Sequence, residues 1–99
     1  MARHEVFRSA ATGPYLLDCQ SDVFSYFSTR LVAPLLRVAE VPRPTRRLHP
    51  VFVVEGVDFV MATHLVSAVP VRTLGAFIVS LDEHHAQIRD ALDMLMCGY

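Results

Sequence analysis

Apolar positions recur along this chain with two different periods, and the change of period divides it. Up to about residue 79 they come in short β-prone runs bounded by turn formers, the pattern of strands. Arg3 to Arg8 and Tyr15 to Gln20 are two such runs, separated by Ser9-Ala10-Ala11-Thr12-Gly13-Pro14, and together they predict an opening hairpin with a wide loop. Leu31 to Val38 is a longer apolar run; its Pro34 has no amide proton to give a ladder, which predicts an edge or bulge position. Val51 to Val54 and Val57 to Met61 flank Glu55-Gly56, turn chemistry suited to a two-residue hairpin where positive φ is needed. Leu65 to Val71 supplies one more short strand closed by Pro70, and Leu74-Gly75 opens a poorly defined stretch through Val79. The period then becomes helical. Leu81, Ile88, Ala91, Leu92 and Leu95 line one stripe, and Ser80 with Glu83 has capping-box spacing, so Ser80 to Met96 is predicted as one amphipathic helix.

Five or six short strands followed by one helix predict an α+β fold built on a small antiparallel barrel, with residues 1–99 forming a single domain. Two linking segments stand out. Ser21 to Thr29 is irregular yet carries Val23, Phe24, Tyr26 and Phe27; these rings are expected to pack in the core or between subunits, because no basic residue lies among them to make a nucleic-acid stacking platform and Arg30 is the nearest cation. Val41-Pro42-Arg43-Pro44-Thr45-Arg46-Arg47 is a stiff basic loop, whose arginines read either as solvated or as partner contacts.

Composition narrows the function classes. The 99 residues are 53% hydrophobic with no tryptophan, enough to fill one core, and a domain of this size gains from burying further surface in an oligomer. Nine basic and ten acidic residues give a net charge of −1, so no global field draws the chain to phosphate backbones or anionic lipid. The N-terminal residues carry no signal-peptide apolar region and no stretch is long and apolar enough to span a bilayer, from which a cytoplasmic protein without membrane contact is expected. Cys19 and Cys97 form no CxxC pair and are expected as free thiols in that compartment.

No catalytic, metal or cofactor set emerges from the spacing. Cys97 would sit at the carbonyl end of its helix, away from the positive field that activates nucleophilic cysteines. His84 and His85 are adjacent, so on a helix they diverge by about 100°, and no metal-type side chain follows four residues on. The sequence runs out directly after the helix, with Cys97-Gly98-Tyr99, and this apolar tip is expected to contact a partner rather than trail as a polar tail.

Six segments in order carry a resemblance: Leu16-Leu17-Asp18-Cys19-Gln20-Ser21-Asp22, Arg30-Leu31-Val32-Ala33-Pro34-Leu35, Leu48-His49-Pro50-Val51, Met61-Ala62-Thr63, Ser67-Ala68-Val69-Pro70-Val71 and Ala91-Leu92-Asp93-Met94-Leu95-Met96 with its Cys97-Gly98-Tyr99 end. Over nearly the whole chain the sequence resembles the CcdB family of toxins. The resemblance implies an SH3-like barrel with a small extra sheet and a C-terminal helix, assembled as a homodimer. It further implies a non-enzymatic toxin of a toxin–antitoxin pair that binds the DNA gyrase A subunit and traps the cleaved gyrase–DNA complex. A CcdA-like antitoxin with a disordered tail would neutralise it, and operator DNA would be met only through the antitoxin complex, in transcriptional autoregulation. The implied gyrase contacts fall on His4, Val23, Phe24, Asp93, Cys97, Gly98 and Tyr99, and Arg43, Arg46 and Arg47 are candidates for the antitoxin. Cysteine stands at 97 where the best-known toxin has tryptophan, and histidine at 4 where it has phenylalanine.

Two alternatives accompany this reading. The MazF-like endoribonucleases resemble the same family in fold, and an acid–base set for RNA cleavage would draw on Arg30, His49 or His64 and Thr63. A non-toxic homologue that keeps only antitoxin binding would account for the cysteine at position 97.

Overall fold

The computed structural model describes residues 2–9, 13–41 and 43–98. Seven strands precede one helix: β1 Glu5–Ser9, β2 Tyr15–Asp18, β3 Thr29–Arg37, β4 Val51–Val54, β5 Val57–Met61, β6 Ser67–Pro70, β7 Leu74–Ser80 and α1 His85–Cys97. The strands pair antiparallel in the order β4-β5-β3-β2-β1-β7, with β6 attached to β3. Val6 of β1 and Phe52 of β4 lie four strands apart in that order, yet both belong to one buried cluster with Leu17, Ala33, Leu35, Met61, Leu81, Ile88 and Ala91. A flat sheet cannot bring them together. The sheet is curled into a half-barrel, and α1 lays Ile88 and Ala91 into its concave side, giving the α+β antiparallel barrel that the short apolar runs predict and the SH3-like form that the resemblance implies.

The hub is β3, whose nine residues change partners along their length. One edge pairs with β2 throughout Val32 to Leu35. The other pairs with β6 over Thr29–Val32 and with β5 over Leu35–Arg37. Pro34 therefore lies in the central strand and not at an edge, a correction to the sequence expectation. Its carbonyl accepts from the Ala62 N–H at 2.9 Å on the side where β6 gives way to β5. In a strand the nitrogen faces the same side as the carbonyl, so the missing proton falls in the seam between the two partners and no ladder bond is lost.

The Glu55-Gly56 turn is found where the sequence places it, with φ of 52° and 75° at its two residues. Both positive values are the mark of a turn whose twist matches the strands it joins. Glu55 tolerates this while its carboxylate accepts from the Tyr15 hydroxyl. Gly56→Ala is expected to lower stability by about 1 kcal/mol, or roughly 5 °C in midpoint, because a Cβ meets open space there and only the backbone strain is felt. Thermal unfolding followed by circular dichroism measures it.

Three elements differ from the sequence reading. Leu65 to Val71 is not one strand but β6 between two single 3-10 turns, Thr63–Leu65 and Val71–Thr73. The unpatterned stretch from Leu74 is β7, an edge strand on β1; register shifts beside Phe7 break its alternation, and Gly75, Ala76 and Phe77 are exposed. The helical segment opens with a 3-10 turn, Asp82–His84, before α1 proper. Ser80 ends β7, and its Oγ accepts from the Asp82 N–H at 3.2 Å instead of closing a capping box with Glu83. Residues 10–12 of the wide loop lie outside the described residues.

Candidate functional site

The carboxyl end of α1 is built as a projecting tip. Ile88 and Ala91 anchor the buried stripe and Leu92 packs on the core, whereas Asp93 and Cys97, one turn apart, face outward. Met96 is 79% exposed. Gly98 takes φ of 80° and its N–H closes on the Met94 carbonyl at 2.9 Å, the left-handed cap that stops a helix and redirects the chain. Tyr99 lies outside the described residues.

A second apolar surface lies on the Asp22–Phe24 turn. Ser21 caps it, its Oγ accepting from the Val23 N–H, and Gln20 braces it: Nε2 donates to the Phe24 carbonyl while Oε1 accepts from the Leu31 N–H. Of the two placements expected for these rings, the core of the chain is excluded and a subunit interface stays open, since Val23 and Tyr26 are 73% and 75% exposed and Phe24 and Phe27 about half so. They pack on one another, with Phe24 and Phe27 stacked at 5.7 Å and Tyr26 tilted against Phe27 at 4.6 Å. Beneath them Arg30 and Asp18 form a buried ion pair of 2.6 and 3.0 Å bonds. Burial raises the Asp18 carboxyl above its ordinary value, against the opposing pull of its bonds from Arg30 and Gln20.

His4 is not part of either surface. It is 4% exposed and held from three sides: its N–H donates to Asp18 O at 2.7 Å, its carbonyl accepts from the Leu81 N–H at 2.8 Å, and Nδ1 donates to the Asp82 carboxylate at 3.1 Å. That bond holds the Asp82 carboxyl below its ordinary value. With φ of 72°, His4 is a clamp that ties the N-terminal segment to the helix entry. The Arg3 N–H reaches Asp22 Oδ1 at 2.7 Å, so the aromatic turn lies near the start of α1. Cys97 lies at the other end, about 20 Å away along a helix of 13 residues. Within one chain the implied contact residues thus form two separate patches.

The basic loop is also partly spoken for. Arg47 makes a bidentate pair with Asp90 of α1, at 2.6 and 2.9 Å, and holds its carboxyl below the ordinary range. Arg43 and Arg46 remain exposed. Residues 45–49, which include Arg46, close on themselves: the His49 N–H donates to Thr45 O at 2.7 Å, and the Thr45 N–H returns to His49 Nδ1 at 2.8 Å. His49 Nε2 in turn meets His64 Nδ1 at 2.9 Å. Desolvation, and then the charge of His64, holds His49 below the usual imidazole value.

Of the RNA-cleaving candidates, His49 and His64 meet and Thr63 adjoins His64, whereas Arg30 is bonded elsewhere. Arg30 is committed to Asp18, the Thr63 hydroxyl is buried on the Met61 carbonyl, and the two histidines bond each other; among the described residues no hydrogen bond joins Arg30 to either histidine. Cys19 is buried, its thiol pushed up to about 12 by desolvation, and Cys97 is a separate exposed thiol. Neither position suggests a nucleophile.

One surface has no counterpart in the sequence reading. At the mouth of the curled sheet, Arg8, Tyr15, Phe59 and Arg37 stack in a row: guanidinium to ring at 5.4 Å, ring to ring at 5.4 Å, and ring to guanidinium at 5.6 Å. Tyr15, Phe59 and Arg37 line an open groove of about 480 Å³ together with Leu35 and Leu36. The four residues come from four strands, so only the register Arg8↔Tyr15 and Arg37↔Phe59 aligns them.

The family model described as CcdB protein matches residues 3–98. No curated protein matches the sequence. Among solved structures 33 chains match, including an endoribonuclease in complex with its cognate antitoxin from Mycobacterial species. That chain is 15% identical, and the match covers 97% of this chain and 94% of that one with a TM-score of 0.78. At this identity the likeness is one of fold.

Proposed function

This chain belongs to the CcdB protein family, and from that premise we propose that it is the toxin of a toxin–antitoxin pair, acting on DNA gyrase by binding. The observation that carries the proposal is the family match from residue 3 to residue 98, which includes the projecting helix end. Asp93, Cys97, Gly98 and Tyr99 at that end, with Val23 and Phe24 on the aromatic turn, form the contact set for the gyrase A subunit. A homodimer presents two copies of each patch. An antitoxin with an acidic, disordered tail neutralises the toxin in the cytoplasm, and the exposed Arg43 and Arg46 are its anchors. Arg47, paired with Asp90, supports the loop instead.

The endoribonuclease reading keeps one observation in its favour, the fold shared with a solved endoribonuclease that is bound to its antitoxin. The commitment of Arg30 to Asp18 and of the Thr63 hydroxyl to the Met61 carbonyl weighs against it. Two assays on the purified protein separate the readings: sedimentation or calorimetry with a gyrase A fragment, and incubation with RNA. Binding with intact RNA is expected. Cleaved RNA without gyrase binding would overturn the proposal.

A further inference from the structure

The Thr45–His49–His64 chain admits only one arrangement of protons. A backbone N–H can only donate, so the Thr45 amide requires a bare lone pair on His49 Nδ1. The proton of a neutral His49 is then on Nε2, which donates to Nδ1 of His64. His64 in turn is neutral, with its proton on Nε2 at the exposed side of the ring. Adding a proton to His49 turns Nδ1 from acceptor to donor and sets it against the Thr45 N–H. Adding one to His64 at Nδ1 sets it against His49 Nε2–H. Either event breaks the chain, and the two rings, 4.9 Å apart, disfavour carrying two charges.

The surroundings do not offset this. His64 is the one group on a packed element whose charge acts on His49. Arg47 of the same loop is already paired with Asp90 of α1, and Asp93 acts on Arg47. Arg46 adds a further positive charge to the loop, and His84 on the helix entry is packed against Phe52 of β4. No carboxylate is in contact with either ring of the pair among the described residues.

We propose that Thr45, His49 and His64 form a proton-operated clasp on the arginine-bearing turn: closed when both rings are neutral, and opened by proton uptake in mildly acidic solution. The turn itself stays tethered, by the Arg47–Asp90 pair on one side and by the Met61 N–H bond to Pro50 O on the other. What opens is the segment carrying Arg43 and Arg46, so the presentation of those two cations becomes pH-dependent. That they meet an acidic partner rests on the function proposed above; the clasp does not.

The direction of the effect follows from linkage. The open turn releases His49 to water, where its ordinary value near 6.5 returns, while the closed turn holds it lower. Closure is therefore fully favoured above about pH 6.5 and is lost as pH falls through the closed-state value, with the ratio of open to closed turns rising about tenfold per pH unit between the two.

Nuclear magnetic resonance of the whole protein tests this without any partner. Long-range proton–nitrogen spectra are expected to show both rings as Nε2–H tautomers at pH 7.5. Exchange of the Thr45 amide, corrected for intrinsic rate, is expected to accelerate about tenfold per pH unit below about pH 6.5, down to the closed-state value, while core amides on β1 and β3 stay protected. In His49→Gln this acceleration is lost; should that variant fail to fold, His64→Gln is expected to move the midpoint up towards pH 6.5. An Nδ1–H tautomer of His49 at pH 7.5, a Thr45 amide indifferent to pH, or an unchanged midpoint in His64→Gln would each overturn the clasp.

Discussion

Replacing Arg30 with alanine is expected to cost about 3–5 kcal/mol of stability, the largest loss of any single substitution considered for this fold. Asp18 and Arg30 are 0% and 1% exposed, and they are joined by bonds from both Nε and Nη2 to one carboxylate oxygen. Truncating the arginine leaves the Asp18 carboxylate buried without its counter-ion. Against a typical total of about 5–15 kcal/mol this leaves little margin. The same pair contributes less than its removal costs, because burial has already raised the Asp18 carboxyl and Nη1 of Arg30 is buried without a partner among the described residues. A double variant, Asp18→Leu with Arg30→Met, is therefore expected to be more stable than Arg30→Ala alone. Urea unfolding of the variants decides it, and a loss below about 1 kcal/mol for Arg30→Ala would contradict the assignment. The consequence extends to the surface: Arg30 Nη2 also donates to Gln20 O, and Gln20 braces the turn that exposes Val23 and Phe24.

Deleting residues 97–99 is expected to have the opposite profile, sparing the fold and removing target binding. Of the three, Cys97 is exposed at the last helical position, and Gly98 contributes one capping bond to Met94 O. Losing a helix cap costs about 1 kcal/mol. The buried stripe of Ile88 and Ala91 is untouched. Removing anchors at the centre of an interface costs 2 kcal/mol or more, about 30-fold in affinity, so gyrase binding should fall by at least that factor. Parallel unfolding and calorimetry separate the two effects. A truncated chain that unfolds would make the tip a stability element and not a recognition surface.

How legible this was in the sequence varied with the range of the interaction. The Glu55-Gly56 hairpin and the helical stripe were readable because their causes are local, a two-residue turn and a 3.6-residue period. Pro34 was misread because its tolerance depends on the seam between β6 and β5, which no neighbouring residue announces. Strand β7 was invisible for a related reason: bulges beside Phe7 break its alternation, and its outward face exposes Phe77. At the site, hydrophobicity says that Phe24, Tyr26 and Phe27 pack somewhere but not whether in the core or between subunits; within the chain they lie exposed against one another. His4 was placed by resemblance on a contact surface, and its three bonds to Asp18, Leu81 and Asp82 span up to 78 positions of sequence. Asp18 and the Arg8–Tyr15–Phe59–Arg37 row left no signal short of the strand register itself. A Leu-Leu-Asp run reads as a strand end, not as half of a buried ion pair.

The central claim is that this chain acts on gyrase by binding and stalls it on cleaved DNA. The direct measurement is incubation of purified gyrase, supercoiled DNA and ATP with the full-length protein, followed by denaturation and quantification of DNA covalently attached to the A subunit. The expected result is accumulation of the covalent adduct with the intact chain and its loss with the chain lacking residues 97–99. Supercoiling that proceeds undisturbed, with no adduct and no binding of the A subunit, would contradict it.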